Sequence, residues 1–320
     1  MIQPIIDPID PTLIKAELTP ARLLRHTNKG GNLIYVIDAR ECPATMREIG
    51  RLREESFRAA GGGTGKEVDI DEFDLMEPPC RQLIVYDPDA ELILGGYRFI
   101  IGSDIRFNSD GAPRIATSHM FGFSSEFVEH YLPYTVELGR SFVRLEYQSS
   151  QAGAKALFAL DNLWDGLGAL TVVYPEIKYL FGKMTMYPSY PRRCRDMILH
   201  FLHKYFPDPD RLVTPFSEID SDFDTPEMKS LFIGSSFKED YKILNHAIRD
   251  SGFNIPPLVN SYMCLSPTMR VFGTAVNDEF GDVEETGIFI AISDIFEEKK
   301  NRHIGTFDPG KESAFESPES

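Results

Sequence analysis

Hydrophobic period switches repeatedly between residues 82 and 206, and that alternation limits the chain to a layered architecture of sheet and helix. Gln82-Leu-Ile-Val-Tyr-Asp and Leu92-Ile-Leu-Gly-Gly-Tyr-Arg-Phe-Ile-Ile read as two strands joined by a turn at Asp87-Pro-Asp-Ala. Tyr134-Thr-Val-Glu-Leu-Gly-Arg-Ser-Phe-Val reads as a third strand, and the polar loop Tyr147-Gln-Ser-Ser-Gln-Ala leads from it into a helix through Lys155–Leu167. A strand at Tyr179-Leu-Phe-Gly-Lys-Met-Thr-Met and a helix from Pro191 to Phe206 follow. This order predicts a mixed α/β (α+β) sheet flanked by helices, not a helical bundle or a β-sandwich.

Four segments are expected. Residues 1–30 form a helical lead-in, with Thr19-Pro20 as a helix start. Residues 31–206 form the core, opening with the strand Asn32–Asp38 and a helix that places Met46, Ile49, Leu52 and Phe57 near one face. Residues 207–305 are an extension packed on that core, strand-like from Ile255-Pro-Pro-Leu to Ser293. Residues 306–320, rich in Gly, Glu, Ser and Pro, read as a disordered tail.

Composition narrows the function. The net charge of −16 disfavours nucleic acid as a partner. No run of about 18 apolar residues occurs, and Met1-Ile-Gln-Pro carries no basic region followed by an apolar core. A cytoplasmic protein is expected, with peripheral contact to a membrane surface left open. Cys42, Cys80, Cys194 and Cys264 form no CxxC pair and read as reduced thiols, so no metal site is expected.

Gly61-Gly-Gly-Thr-Gly-Lys66 invites a phosphate-loop reading and fails it, because Ala60 stands at the first glycine and Glu67 replaces the hydroxyl. It reads instead as a flexible loop able to order over a substrate. The alternating acids Asp69-Ile-Asp71-Glu-Phe-Asp74 lack the glycine and terminal glutamate of a calcium loop. They form either a solvated loop or a carboxylate wall for a cationic amine. In the third strand Glu137, Gly139 and Ser141 should share one face, and Leu138, Arg140 and Phe142 the other. The loop Gln148-Ser149-Ser150-Gln151-Ala152-Gly153, entering a helix, is placed to bind an anion on free N–H groups and the helix dipole. Aminolysis of a thioester needs such a phosphate site, a base for the ammonium and donors for the oxyanion, and Glu137 suits the base.

The blocks Thr27-Asn-Lys-Gly-Gly-Asn, Glu48-Ile-Gly-Arg-Leu-Arg-Glu, Ala60-Gly-Gly-Gly-Thr-Gly-Lys, Gly95-Gly-Tyr-Arg, Glu137-Leu-Gly-Arg-Ser, Tyr179-Leu-Phe-Gly and Ile255-Pro-Pro-Leu carry a resemblance. With Asp69–Asp74, they make residues 5–305 similar to the GNAT-superfamily N-acyltransferases of lyso-ornithine and lyso-glycine lipids, often labelled hemolysin-like. Within that group the chain looks closest to the Bacteroidetes glycine N-acyltransferases. More distantly it resembles acyl-homoserine-lactone synthases, and Arg53, Asp71, Asp74, Arg98, Glu137 and Arg140 fall on that family's polar site positions.

The resemblance implies a GNAT-like fold and transfer of a (3-hydroxy) fatty acyl group from a phosphopantetheine carrier to an amine. It implies no permanently bound cofactor. Glu137 and Arg140 are then catalytic, and Asp69, Asp71, Asp74, Arg53 and Arg98 bind the amine substrate. Gln148–Gly153 holds the phosphopantetheine. The usual loop of the superfamily has glycine where Gln151 stands, and a side chain there hinders a pyrophosphate, favouring acyl carrier protein over acyl-CoA. An acidic carrier needs a basic surface, and Arg192, Arg193 and Arg195, with Lys183, His200, His203 and Lys204 nearby in sequence, are the docking candidates. Glycine is the expected acceptor; ornithine, whose second cation would suit the acidic wall, and a non-catalytic binding protein are the alternatives. A pore-forming role lacks any secretion signal or amphipathic membrane segment.

Overall fold

The computed structural model describes residues 2–148, 153–219, 222–313 and 315. The chain opens with α1 (Pro11–Glu17), β1 (Leu23–His26), β2 (Leu33–Ile37), α2 (Pro43–Ala60) and α3 (Glu72–Leu75). It continues through β3 (Arg81–Asp87), β4 (Leu92–Ile101), β5 (Phe121–Phe123), β6 (Thr135–Val143), α4 (Gly153–Val173), β7 (Tyr179–Met186) and α5 (Arg192–Tyr205). Then come β8 (Val213–Pro215), α6 (Pro226–Leu231), α7 (Phe237–Asp250), α8 (Pro257–Met263), β9 (Arg270–Asn277), β10 (Val283–Ala291), α9 (Glu297–His303) and α10 (Pro309–Glu312).

Eight strands form one mixed sheet in the order β1-β2-β3-β4-β6-β7-β10-β9, and β5 pairs with β8 in a small second sheet. Every pairing in the large sheet is antiparallel except β6 with β7, which α4 connects. Period-two alternation buries both faces: Leu83 and Val85 of β3 belong to one core, Ile84 and Tyr86 to another. The first core also takes Leu163, Leu167 and Leu170 from α4 and Met197, Phe201 and Leu202 from α5. The second takes Met46, Ile49, Leu52 and Phe57 of α2, each worth about 1.5–3 kcal/mol when removed from water.

α2 begins at Pro43 and ends at Gly61, whose φ of 98° only glycine adopts freely. Cys42 offers its N-terminus no side-chain cap. Glu17 of α1 does so instead, accepting from the backbone nitrogens of Ala44 (2.9 Å) and Thr45 (2.7 Å).

Several elements differ from expectation. Thr19-Pro20 starts only a single 3-10 turn, and the first strand is β1, drawn into the sheet by pairing with β2. Ile255-Pro-Pro-Leu leads into the helix α8 rather than a strand, because Pro256 and Pro257 lack the N–H a ladder needs and suit a helix start. Phe307, in the segment read as disordered, is buried beneath the Arg25 guanidinium, 5.2 Å from its ring, and α10 follows. Gly61–Lys66 is not a free loop. The buried Glu54 carboxylate accepts from Thr64 N (3.0 Å), Thr64 Oγ1 (2.7 Å) and Gly65 N (2.8 Å), closing the glycine-rich segment onto α2. Among the described residues no helix is long and apolar enough to cross a membrane.

Candidate active site

β6 and β7 are hydrogen-bonded partners only from Thr135↔Tyr179 to Leu138↔Gly182. Beyond that point β6 runs on to Val143 and β7 to Met186 without pairing to each other, so the sheet splits between two parallel strands. A cavity of about 850 Å³ occupies the split. Gly139–Val143 line one side of it and Lys183, Thr185 and Met186 the other.

β6 carries a bulge at the mouth of the split. Arg98 of β4 faces Gly139 and Gly96 faces Phe142, so Arg140 and Ser141 together stand opposite Tyr97. Arg140 adopts a φ of 48°, a conformation costing a residue with a Cβ about 1–2 kcal/mol. The extra residue breaks strand parity: Leu138 before it and Phe142 after it fall in different cores, contrary to the shared face expected from the sequence, and Glu137, Leu138, Arg140 and Phe142 all line the cavity. Gly139 also lines it, and a Cβ built there would meet nothing within 4 Å. Its bare backbone is open to a ligand.

Glu137 is buried, and its Oε1 accepts from Thr117 N (3.2 Å) and Thr117 Oγ1 (2.7 Å). Two arginines stand in the same wall. Arg98 Nη1 reaches Asp71 Oδ1 at 2.6 Å and Asp74 Oδ2 at 3.4 Å. Arg140 Nε reaches Asp69 Oδ2 at 2.9 Å, Nη2 reaches Asp71 Oδ2 at 3.5 Å, and the guanidinium lies 4.3 Å from the Phe280 ring centre. These contacts hold the strained Arg140 in place.

The acidic wall therefore stands behind the cavity lining, with Asp71 the part-exposed member of the three. Asp69 and Asp74 are completely buried, and none of Asp69, Asp71 and Asp74 lines the cavity. Arg53, also fully buried, bridges Asp74 Oδ2 (3.2 Å) and the Gln82 amide oxygen behind the wall. Three arginines thus neutralise three aspartates, because a carboxylate in so dry a place needs a paired cation. Burial alone would raise the pKa of Asp71, but Arg98, by charge and hydrogen bond, and then Arg140 and Arg53 hold it well below the usual range. Asp69 goes the other way: burial outweighs Arg140 and Arg53 and pushes it up.

The opposite wall holds Lys183, expected at the docking surface, together with residues the sequence reading missed. Lys183 Nζ lies 2.7 Å from Glu285 Oε2, which also accepts from Asn277 Nδ2 at 3.0 Å; Thr185 Oγ1 donates to Oε1 at 3.2 Å. Tyr187 stands beside them, and burial, then the Glu285 charge, pushes its phenol up to about 12. It therefore remains a proton-bearing donor at neutral pH. The signal in the sequence was the acid pair Glu284-Glu285 inside an otherwise strand-forming run, which only burial could make meaningful.

Gln148 reaches the cavity, its Nε2 donating to Val143 O at 2.6 Å. Ser149, Ser150, Gln151 and Ala152 lie outside the described residues; Gly153 opens α4, though nothing of its surroundings is described. The basic cluster expected around α5 is dispersed. Arg195 is consumed by Asp196 (2.6 Å) and Glu284, Arg193 pairs with Glu227 (2.9 Å), Lys204 with Asp240 (2.6 Å), and Lys183 is in the cavity. Helical spacing turns these residues in different directions, which proximity in sequence hides. Arg192 and Arg193 remain exposed, two and three residues after Tyr190 on the cavity wall.

Residues 52–157 match the family model of the acetyltransferase (GNAT) domain. The chain is 62% identical over 317 residues to a glycine N(alpha)-acyltransferase of Bacteroides thetaiotaomicron, covering 99% of this chain and 94% of that protein. A glycine N(alpha)-acyltransferase of Phocaeicola vulgatus is 61% identical, with 96% and 94% covered. Among solved structures, the AHL synthase LasI aligns with a TM-score of 0.31 and 15% identity, over 49% of this chain and 74% of that one. The CoA-dependent acyl-homoserine lactone synthase BjaI, with SAM and isopentyl-CoA, aligns with a TM-score of 0.35 and 12% identity, over 86% and 90%.

Proposed function

From the premise that this chain belongs to the GNAT acyltransferases, within the family of the glycine N(alpha)-acyltransferases, we propose that it moves a fatty acyl group from a carrier thioester to the amine of glycine. The observation that carries this reading is the wall shared by Glu137, Arg98 and Arg140. It offers one carboxylate for an ammonium and the N–H groups of two aspartate-paired guanidiniums for a carboxylate, which is the polar pattern of a small amino acid. Neutralisation of Asp69, Asp71 and Asp74 by arginines supports glycine over ornithine, since no free acidic wall awaits a second cation.

In the reaction, Glu137 takes a proton from the glycine ammonium. The freed nitrogen attacks the thioester carbon, a C–N bond forms, and the carbonyl electrons move to oxygen. Donors in the split strands, with Tyr187 among the candidates, face the oxyanion. Collapse breaks the C–S bond; the proton held by Glu137 passes to the leaving thiolate, and the carboxylate so freed takes the second proton from the new amide nitrogen and releases it to water. Arg98 and Arg140 hold the glycine carboxylate and so orient the nucleophile.

The donor in this reading is a 3-hydroxyacyl chain on acyl carrier protein, docking beside Arg192 and Arg193, and the product is the first intermediate of a glycine lipid. Purified protein given hydroxyacyl carrier protein or acyl-CoA, with glycine or ornithine, tests it by mass spectrometry of the products. N-acyl-glycine formed faster from the carrier is the expected outcome. N-acyl-ornithine as main product, or equal turnover of both donors, overturns the acceptor or the donor assignment respectively.

A further inference from the structure

The cavity has two unlike halves, and we propose that the half walled by α8 receives the alkyl chain of the donor, with Tyr262 setting the chain length accepted. This rests on the reading that the donor is a fatty thioester. The charged half lies on β4, β6, β7 and β10, where Arg98, Glu137, Arg140, Lys183 and Glu285 gather. The apolar half is made by Leu160 of α4, by Pro257, Leu258, Val259 and Tyr262 of α8, and by Phe253 just before it. A volume of about 850 Å³ is far more than an amino acid fills, and sits high in the ~300–1,000 Å³ range of ligand pockets. An occupant without charge or hydrogen-bonding groups matches that second half.

α8 lies outside residues 52–157, so the apolar wall is supplied by the C-terminal part of the chain to the acyltransferase domain. Tyr262 is held on two sides. Its ring packs edge-on against Trp164 at 5.6 Å, and its hydroxyl lies 3.3 Å from that of Tyr97 on β4. Tyr97 lines the cavity too. Tyr262 and Val259 are 5% and 2% exposed, so neither side chain can swing into solvent to make room. A chain that meets this fixed ring must stop there, whereas each methylene that fits short of it adds roughly fourfold to kcat/KM.

The test is kcat/KM for glycine acylation across a ladder of saturated acyl donors that differ by two methylenes, in the full-length protein. Tyr262→Ala should move the optimum to longer chains. Val259→Phe should move it to shorter ones, with roughly fourfold loss per methylene excluded. Tyr262→Phe, which keeps the ring, should leave the optimum in place. An unchanged optimum in Val259→Phe and Tyr262→Ala, while glycine KM stays as in the wild type, overturns the assignment of the chain to α8. A wild type that turns over only short acyl donors, with no rise along the ladder, instead overturns the fatty-donor reading on which the assignment rests.

Discussion

Thr117 donates twice to one oxygen of Glu137, from its backbone nitrogen at 3.2 Å and its hydroxyl at 2.7 Å, fixing a carboxylate that lines the cavity. Glu137 Oε2 has no hydrogen-bond partner among the described residues. One oxygen is thus tied to the protein while the other is free for an ammonium. Thr117→Val keeps the side-chain shape and the backbone donor but removes the hydroxyl. It should lower kcat for glycine acylation about tenfold, the cost of a charge-assisted hydrogen bond, and leave the donor KM unchanged. Equal kcat in steady-state assays would remove Thr117 as a positioning residue.

Gly139 stands where a side chain would enter the cavity and meet no protein atom within 4 Å. Gly139→Val should therefore fold with a thermal midpoint close to the wild type. Its KM for the acyl donor should rise tenfold or more, because the backbone can no longer approach the thioester. Unaltered donor kinetics would show that the substrate passes elsewhere.

Arg53 touches no part of the cavity, yet it compensates Asp74 where neither is exposed. Arg53→Leu leaves that carboxylate short of a partner and should cost about 3–5 kcal/mol in urea unfolding. A loss below about 1 kcal/mol would mean that Arg98 alone satisfies Asp74.

Acid should unfold the protein through a defined set of carboxylates. For Asp71, Glu54 and Glu285, burial acts to raise the pKa and is outweighed: by Arg98 at Asp71, by Thr64 and Arg58 hydrogen bonds at Glu54, and by Lys183 at Glu285. All three lie below their ordinary values of 3.8 and 4.5, so the folded state binds fewer protons than the unfolded chain. Their stabilisation is complete above the ordinary values and is lost as pH falls through the folded ones. Asp69, raised by burial, has the opposite sign and offsets part of this. The urea midpoint should hold near neutral pH and fall steeply below about pH 4.5. A midpoint flat from neutral pH down to about pH 3 would contradict the pairing scheme.

A surprising amount of the core was legible in one dimension. The hairpin β3–β4, the strands β6 and β7, and the helices α2, α4 and α5 follow from period and turn residues, because each buries a regularly spaced apolar face. Edges and termini were less legible. β1 and α10 depend on partners distant in sequence, and the doubled proline of α8 reads equally well as a break in a strand.

Period and turn residues alone determined that this is a mixed α/β chain, and the strand around Glu137 marked that carboxylate as a candidate base, while roles for Arg98 and Arg140 were implied by the resemblance. Only the tertiary structure decided how they are placed. The bulge at Arg140 overrode strand parity, and the parting of β6 from β7 opened the cavity. Pairing with Arg53, Arg98 and Arg140 turned the acidic wall from a binding surface into a buried support. Each of these is a property of neighbours brought together by pairing and burial, and such neighbours carry no mark in the order of the residues.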